Sequence, residues 1–250
     1  MRLLSSICII VCLMLNAFPT EEAAQGTEKL VEKLGNNRFQ LGEIIIDKDH
    51  DSLRFPAEVN MNEGLLELLL CTPYGKTHES LFVTEIDATY LNLALIMIGC
   101  KPATIRPKHQ GDDVIPDGTL VIIEVSYIDE DDEEKTIRAE DWIYNKKTDE
   151  AMQHTNWVYT GSYFAENEYM AKLTGTYIVT FHDPNAIIDL PLKEAADDTV
   201  FWVNADAAKK KGYPVELIIT RAGDIDTQPE EPPEEPEENQ NDEGPGPMNP

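Results

Sequence analysis

The sequence predicts an α+β fold, a mostly antiparallel β-sheet with one buried central helix and one or two short helices. Three observations predict it. About nine short runs rich in β-branched and aromatic residues lie between polar turns. Nearly all are joined by turns and not by helical crossovers, which favours antiparallel pairing. One longer run, after Asp87, is apolar on nearly every face and carries helix start and stop signals.

Taken in order, the N-terminus reads as an export signal. Arg2 is its positive flank, and Leu3 to Leu15 is apolar except for Ser5 and Ser6. That run falls short of the ~20 residues of a spanning helix. The cleavage site is poor, with Ala17 small but Leu15 wrong two places before it, and Ala23 and Ala24 as further candidates. Cys8 and Cys12 lack the small residues that precede a lipoprotein cysteine. The alternative is an uncleaved anchor. Residues 1–26 are therefore expected to leave the mature protein, 27–223 to form one domain, and 224–250 to be a disordered acidic Pro/Glu-rich tail.

Within the domain, Thr27 to Gly35 has a capping Thr, an apolar face of Leu30, Val31 and Leu34, and a closing Gly, which predicts a short helix. Gly42 to Asp47 and Leu53 to Asn60 read as strands around a polar turn, and Pro56 demotes the second to an edge or marks a bulge. Leu65 to Cys71 is a buried strand, followed by the loop Thr72 to Ser80 and a strand through Leu81, Phe82 and Val83. Asp87 caps a helix running to Ile98, with Gly99 to end it and Pro102 beyond. At ~1.5 Å per residue this helix is about 17 Å long, too short to cross a bilayer, so it is expected as a core helix with Leu93, Leu95 and Ile96 buried. Gly118 to Ile128 and Lys135 to Tyr144 read as a hairpin around the acidic turn Asp129 to Glu134. Asn156 to Gly161, Gly175 to Phe181, Val200 to Asn204 and Val215 to Thr220 complete the strands.

Charge narrows the function. The formal net charge is −27. Without the two terminal stretches the body still holds 35 acids against 19 bases. A nucleic-acid partner needs a basic face, and anionic membrane surfaces are disfavoured for the same reason. If the leader is cleaved, Cys71 and Cys100 remain. Two thiolates cannot ligate an iron–sulfur cluster or a four-cysteine zinc site, and no cofactor is expected. Two buried thiols are favoured over a disulfide, because the strand and helix that carry them need not bring their Cα atoms within ~7 Å.

The loop Gly75 to Ser80 is the most suggestive constellation. In an extended chain Lys76, His78 and Ser80 project to one side and Glu79 to the other. His78 beside Ser80, or beside Cys71, could serve nucleophilic catalysis, but no third group or oxyanion donors can be identified. The bland reading is a structural loop whose hydroxyls satisfy backbone groups. Gly75-Lys76-Thr77 mimics the end of a phosphate loop, but Leu70 stands where the first Gly belongs. Asp47, Asp49, Asp51 and Glu58 occupy the first, third, fifth and twelfth places of an EF-hand loop, yet the sixth is Ser52 and the flanks read as strands. A solvated turn explains those acids, and no metal is expected. By strand period Trp142 and Tyr144 share one face, as do Trp157 and Tyr159. Adjacent strands would join them as core packing or as an exposed platform that stacks on sugars.

Five stretches in order carry a resemblance: Phe55 to Cys71 (FPAEVNMNEGLLELLLC), Gly75 to Ile86 (GKTHESLFVTEI), Leu91 to Gly99 (LNLALIMIG), Ala139 to Thr148 (AEDWIYNKKT) and Asp183 to Pro191 (DPNAIIDLP). Together they resemble the YdjY-domain proteins of bacterial cell envelopes. The resemblance covers most of residues 40–220 and implies an exported module, periplasmic or extracellular, of unknown biochemical role. It supplies no catalytic residues. The ferredoxin-like label that relatives sometimes carry finds no support in two cysteines.

The expectation is thus a non-catalytic module that binds an envelope protein or a small ligand, with no nucleic acid and no membrane span in the mature form. Lys76, His78, Trp142 and Trp157 are the binding candidates. The alternatives are a hydrolase-type or metal-dependent enzyme using His78, Glu79, Ser80 or Cys71, and a glycan-binding surface on the Trp142 and Trp157 strands.

Overall fold

The computed structural model describes residues 30–224, so the expected leader at 1–26 and the expected tail beyond Asp224 lie outside the described residues. The described chain opens as a meander, β1 (Glu32–Gly35), β2 (Arg38–Leu41) and β3 (Ile44–Asp47), each antiparallel to the next. The helix expected over Thr27–Gly35 is corrected in its described part to strand. Asn36 and Asn37 both take positive φ, 47° and 51°, the conformation of a tight hairpin turn. Glu32–Gly35 therefore folds back onto β2.

β3 turns into β4 (Ser52–Val59) at Lys48–Asp51, where Asp47 Oδ1 accepts the Asp49 and His50 N–H groups. Glu58 stands seven residues beyond Asp51 along an extended strand, on the order of 23 Å away. The acids with EF-hand spacing thus do not converge.

After β4 come β5 (Leu68–Cys71), a 3₁₀ turn at Thr77–Glu79, β6 (Ser80–Val83) and helix α1 (Ala88–Met97). Next are β7 (Thr119–Ile128), β8 (Glu134–Arg138), β9 (Ile143–Asn145), β10 (Glu150–Ala151) and β11 (Trp157–Tyr159). The small hairpin β12 (Phe164–Ala165) and β13 (Glu168–Tyr169) leads into α2 (Met170–Thr174). The rest is β14 (Thr176–Val179), β15 (Ile188–Asp189), β16 (Phe201–Val203) and β17 (Pro214–Asp224). β17 runs to the first residue assigned to the tail.

Eight strands close a barrel in the order β4-β17-β7-β11-β15-β14-β5-β6. Closure comes from β6 pairing back onto β4, Glu58 opposite Val83 and Val59 opposite Phe82. Two of the pairings, β14 with β15 and β5 with β6, are parallel. Strand accounts for 39% and helix for 13%, which corrects the α+β expectation: the fold is mostly β, and no helix lies at its centre. What lies at the centre is side chains. Alternate residues of the long strands point inward, Leu53, Phe55, Ala57 and Val59 from β4, Val121, Ile123 and Val125 from β7, and Val215, Leu217 and Ile219 from β17, all buried in one cluster.

Pro56 permits the closure. Val59 N–H donates towards β17, to Tyr213 O, so by strand alternation the Pro56 nitrogen faces the other side. There β3 ends at its pairing with Arg54 and β6 begins at Glu58, so no ladder partner stands opposite the missing N–H. The Pro56 carbonyl in that gap accepts the Thr84 hydroxyl at 2.7 Å.

Helix α1 is where the capping signals place it. Asp87 Oδ1 accepts Thr89 N–H at 2.7 Å, and Gly99 ends the helix at φ 90°. It packs against β3 and α2 with Ala88, Leu91, Ala94 and Leu95 buried. Leu93 is only partly buried and Ile96 is 49% exposed, so the expected burial holds for Leu95 alone of the three. A helix laid against a barrel needs one apolar stripe, not a full apolar circumference. Among the described residues no helix is long and apolar enough to cross a membrane.

The expected strand Lys135 to Tyr144 is also broken. Ala139–Trp142 is a 3₁₀ turn, after which β9 leaves the barrel to join a separate sheet, β10-β9-β16. Glu140 is the reason. Its carboxylate is fully buried and takes Arg138 in a two-pronged ion pair, Nη2 at 2.9 Å and Nε at 3.1 Å, with Trp157 Nε1 donating at 2.9 Å. One buried acid therefore fixes the corner between two sheets.

Candidate functional site

The β5–β6 loop is held down at its base. Thr72 N–H donates to Gly175 O at 3.0 Å, and Gly75 packs so close to that carbonyl that a Cβ there would lie 2.9 Å from it. The 3₁₀ turn then sorts the side chains differently from an extended chain. Lys76 and Glu79 come together on one side, and His78 swings out to solvent, its side chain 78% exposed. Lys76 Nζ bridges Glu67 Oε2 at 2.8 Å and Glu79 Oε1 at 2.9 Å, while Gln110 Nε2 adds a bond to Glu67 Oε2 at 3.1 Å. Burial raises the Glu67 carboxyl above its ordinary range, Glu79 adds to the rise, and Lys76 opposes it. The Lys76 ammonium is held above its ordinary range by its two carboxylates, although burial works the other way.

The nucleophiles are withdrawn from this cluster. Ser80 is fully buried, and its hydroxyl donates to Phe82 O at 2.9 Å. Cys71 is buried on β5; burial drives its thiol up to about 11, the Glu79 charge adds to that, and Ser80 opposes it. Only about one such thiol in a thousand is ionised near pH 8. His78 has Glu79 at 3.5 Å, and neither Ser80 nor Cys71 is hydrogen-bonded to it. The structure brings Lys76 and Glu79 together with Glu67, and leaves the catalytic candidates apart. Cys71 and Cys100 are buried thiols not bridged to each other, and they lie in different core clusters.

The aromatic candidates are interior. Trp142 and Trp157 are both fully buried. Trp142 meets Phe82 and Tyr127 edge-on, with ring centroids 5.3 and 5.6 Å away, and Trp157 is spent on Glu140. Because the chain turns at 139–142, Trp142 and Tyr144 do not share a strand, and a sugar-stacking face on Trp142 and Trp157 has no exposed ring.

A pair that sequence reasoning missed lies behind Glu67. The Glu67 carbonyl accepts Thr180 and Phe181 N–H, and the next residue is His182. His182 Nδ1 is 2.9 Å from Asp189 Oδ1, and both side chains are fully buried. Asp189 Oδ1 also accepts Leu190 N–H at 2.7 Å, while His182 Nε2 and Asp189 Oδ2 have no partner. Burial raises the Asp189 carboxyl, against the pull of His182. The segment 101–117 covers this side, with Gly111 N–H donating to His182 O at 2.9 Å. The available signal was slight: Asp189 interrupts the apolar run Ala186 to Leu190, and His182 follows the apolar stretch that ends at Phe181.

Open surface lies elsewhere. At the fork where β4 exchanges β3 for β6 is a groove of about 330 Å³ floored by Pro56, Val83 and Pro214 and rimmed by Glu43, Glu58 and Glu85. A second hollow of about 430 Å³, which shares Pro214 and Val215 with it, lies beside Tyr127, Ile128, Glu134 and Glu216. Among the described residues, no group of His, Cys, Asp and Glu has the arrangement of a metal site.

A family model, described as the YdjY domain, matches residues 44–220. No curated protein and no solved structure matches the chain. The match runs from β3 into β17, including the β5–β6 loop and the His182–Asp189 pair. On that match over most of its length, the chain belongs to the YdjY-domain family.

Proposed function

We propose that this domain is a non-catalytic binding module, exported to the bacterial cell envelope, and that the groove at the β3–β6 fork is its binding face. The observation that carries the reading is the groove itself, an apolar floor with a charged rim on a barrel whose interior is filled with side chains. The arrangement of the β5–β6 loop supports it from the other side. Ser80 is bonded to a carbonyl, the Cys71 thiol is pushed up, and His78 faces solvent without a nucleophile, so the loop serves as architecture. The leader-like sequence of residues 1–26 supports export.

The test is a native pull-down from a bacterial envelope extract, with captured proteins and small molecules identified by mass spectrometry. The wild type is compared with Val83→Glu in the groove and His78→Ala in the loop. A partner retained by His78→Ala and lost by Val83→Glu is the expected result. A partner lost by His78→Ala and kept by Val83→Glu would move the binding face to the loop.

A further inference from the structure

We infer that the occupant of the groove is an extended peptide segment that alternates apolar side chains with lysine or arginine. The inference rests on the reading of the groove as the binding face and goes on to name its partner class. The carboxylates on the rim are the first argument. Glu43, Glu58 and Glu85 are exposed, and none enters an ion pair among the described residues. Some carboxylates of this acidic chain are paired, Glu67 and Glu79 with Lys76, Glu140 with Arg138, Asp87 with Lys172 and Glu216 with Arg54, but no cation among the described residues offsets these three. At the groove three like charges stand around apolar surface, a potential that draws a cationic partner and repels an acidic one.

The second argument is the floor. Pro56, Pro214 and Val83 offer nothing to a purely charged ligand and suit apolar side chains between the cations. Main-chain pairing is closed off on β4, since Pro56 lacks an N–H and its carbonyl is taken by Thr84. Recognition therefore falls to side chains, and β-strand addition at that position is excluded. Shape is the third argument. Pro214 and Val215 line both the groove and the hollow beside Glu134 and Glu216, and two neighbouring hollows suit an extended chain over a compact ligand.

The experiment is amide chemical-shift titration of the full chain with three synthetic eight-residue peptides, alternating Val with Lys, Val with Glu, and Ser with Lys. The Val–Lys peptide is expected to shift amides at 57–58, 83–85 and 215–216, and its binding is expected to weaken with added salt. In the Glu58→Gln, Glu85→Gln double variant the affinity is expected to fall about tenfold, a loss within reach of two exposed ion pairs. Equal binding of the Val–Glu peptide at these amides overturns the cationic class and leaves the groove reading intact. Equal binding of the Ser–Lys peptide shows charge adsorption alone and overturns the apolar half of the inference. If none of the peptides shifts these amides at millimolar concentration, the inference fails. If envelope capture is then also unchanged in Val83→Glu, the groove reading fails with it.

Discussion

Removing the Glu140 carboxylate tests whether one buried acid fixes the corner between the two sheets. Its side chain is fully buried and serves three residues at once, the Arg138 guanidinium, Trp157 Nε1 and, at a longer 3.4 Å, the Thr155 N–H. Glu140→Ala leaves the indole N–H without an acceptor, at about 1–3 kcal/mol, and strands Arg138. Breaking one side of a buried ion pair typically costs about 3–5 kcal/mol. The two costs overlap, and Arg138 is 20% exposed and keeps its bond to the Thr155 carbonyl. The expected total is therefore about 3–5 kcal/mol and not the sum. For a domain of this size each kcal/mol moves the melting point roughly 2–4 °C, so a fall of about 6–20 °C is expected. Glu140→Gln keeps one oxygen for the indole and loses the charge, at about 1–3 kcal/mol. Urea denaturation followed by circular dichroism and tryptophan emission measures all three proteins. The double replacement Arg138→Met, Glu140→Leu is expected to recover most of the loss, because a buried ion pair gains little over an apolar pair of similar size. If Glu140→Ala costs less than about 1 kcal/mol, the carboxylate is not holding the corner and the reasoning fails.

Three further outcomes follow from the packing. Leu95→Ala is expected to cost about 2–5 kcal/mol and the neighbouring Ile96→Ala well under half of that, because Leu95 is fully buried and Ile96 is 49% exposed; urea melts that rank them equally refute the placement of α1. Asp87→Ala removes the helix cap at about 1 kcal/mol near pH 7. Burial works to raise the Asp87 carboxyl, but Lys172 and the Thr89 N–H outweigh it and hold it below its ordinary value. Its contribution is therefore present above the unfolded carboxylate value of about 4 and lost as pH falls through the lower folded one, so wild type and variant should converge in acid melts. Cys71 is expected to resist iodoacetamide at pH 8 in the native protein and to react on unfolding, with peptide mass spectrometry as the readout; rapid native labelling would contradict its burial and a thiol raised to about 11.

The local signals were legible where one residue type settles the geometry. Asp87 and Gly99 bound α1, the polar run after Asp47 makes a hairpin, and the apolar run ending at Cys71 contains a strand buried throughout. The failures share a cause, which is that the deciding partner is remote in sequence. Pro56 signals an edge or a bulge in sequence, but its place is a gap between two successive neighbours of one strand, visible only once β6 is known to return to β4. The run Lys135 to Tyr144 alternates like a strand, and its break depends on Glu140 meeting a tryptophan 17 residues on. Asn36-Asn37 was overlooked as a turn because the residues before it also suit a helix, and pairing with β2 overrides that propensity. In the β5–β6 loop the sequence displays the residue types but not their directions. A 3₁₀ turn reverses the alternation that an extended chain imposes, so Lys76 met Glu79 and His78 faced water. His182 and Asp189 are seven positions apart with nothing local to join them, and the adjacency of β14 and β15 does so.

The position of β17 governs when this barrel can form. β17 follows every other barrel strand in sequence, yet it sits between β4 and β7. Its side-chain contact from Glu216 to Arg54 joins residues 162 positions apart. Until β17 arrives, β4 and β7 have no neighbour on that side, and their inward residues have no ring to fill. Bringing such distant segments together is slow, because a long loop must be closed before its contacts repay the lost freedom. During synthesis the ring therefore stays open until residues 214–224 have emerged. The β3–β4 hairpin and the β7–β8 pairing, both local in sequence, can precede this step, but the closed barrel cannot.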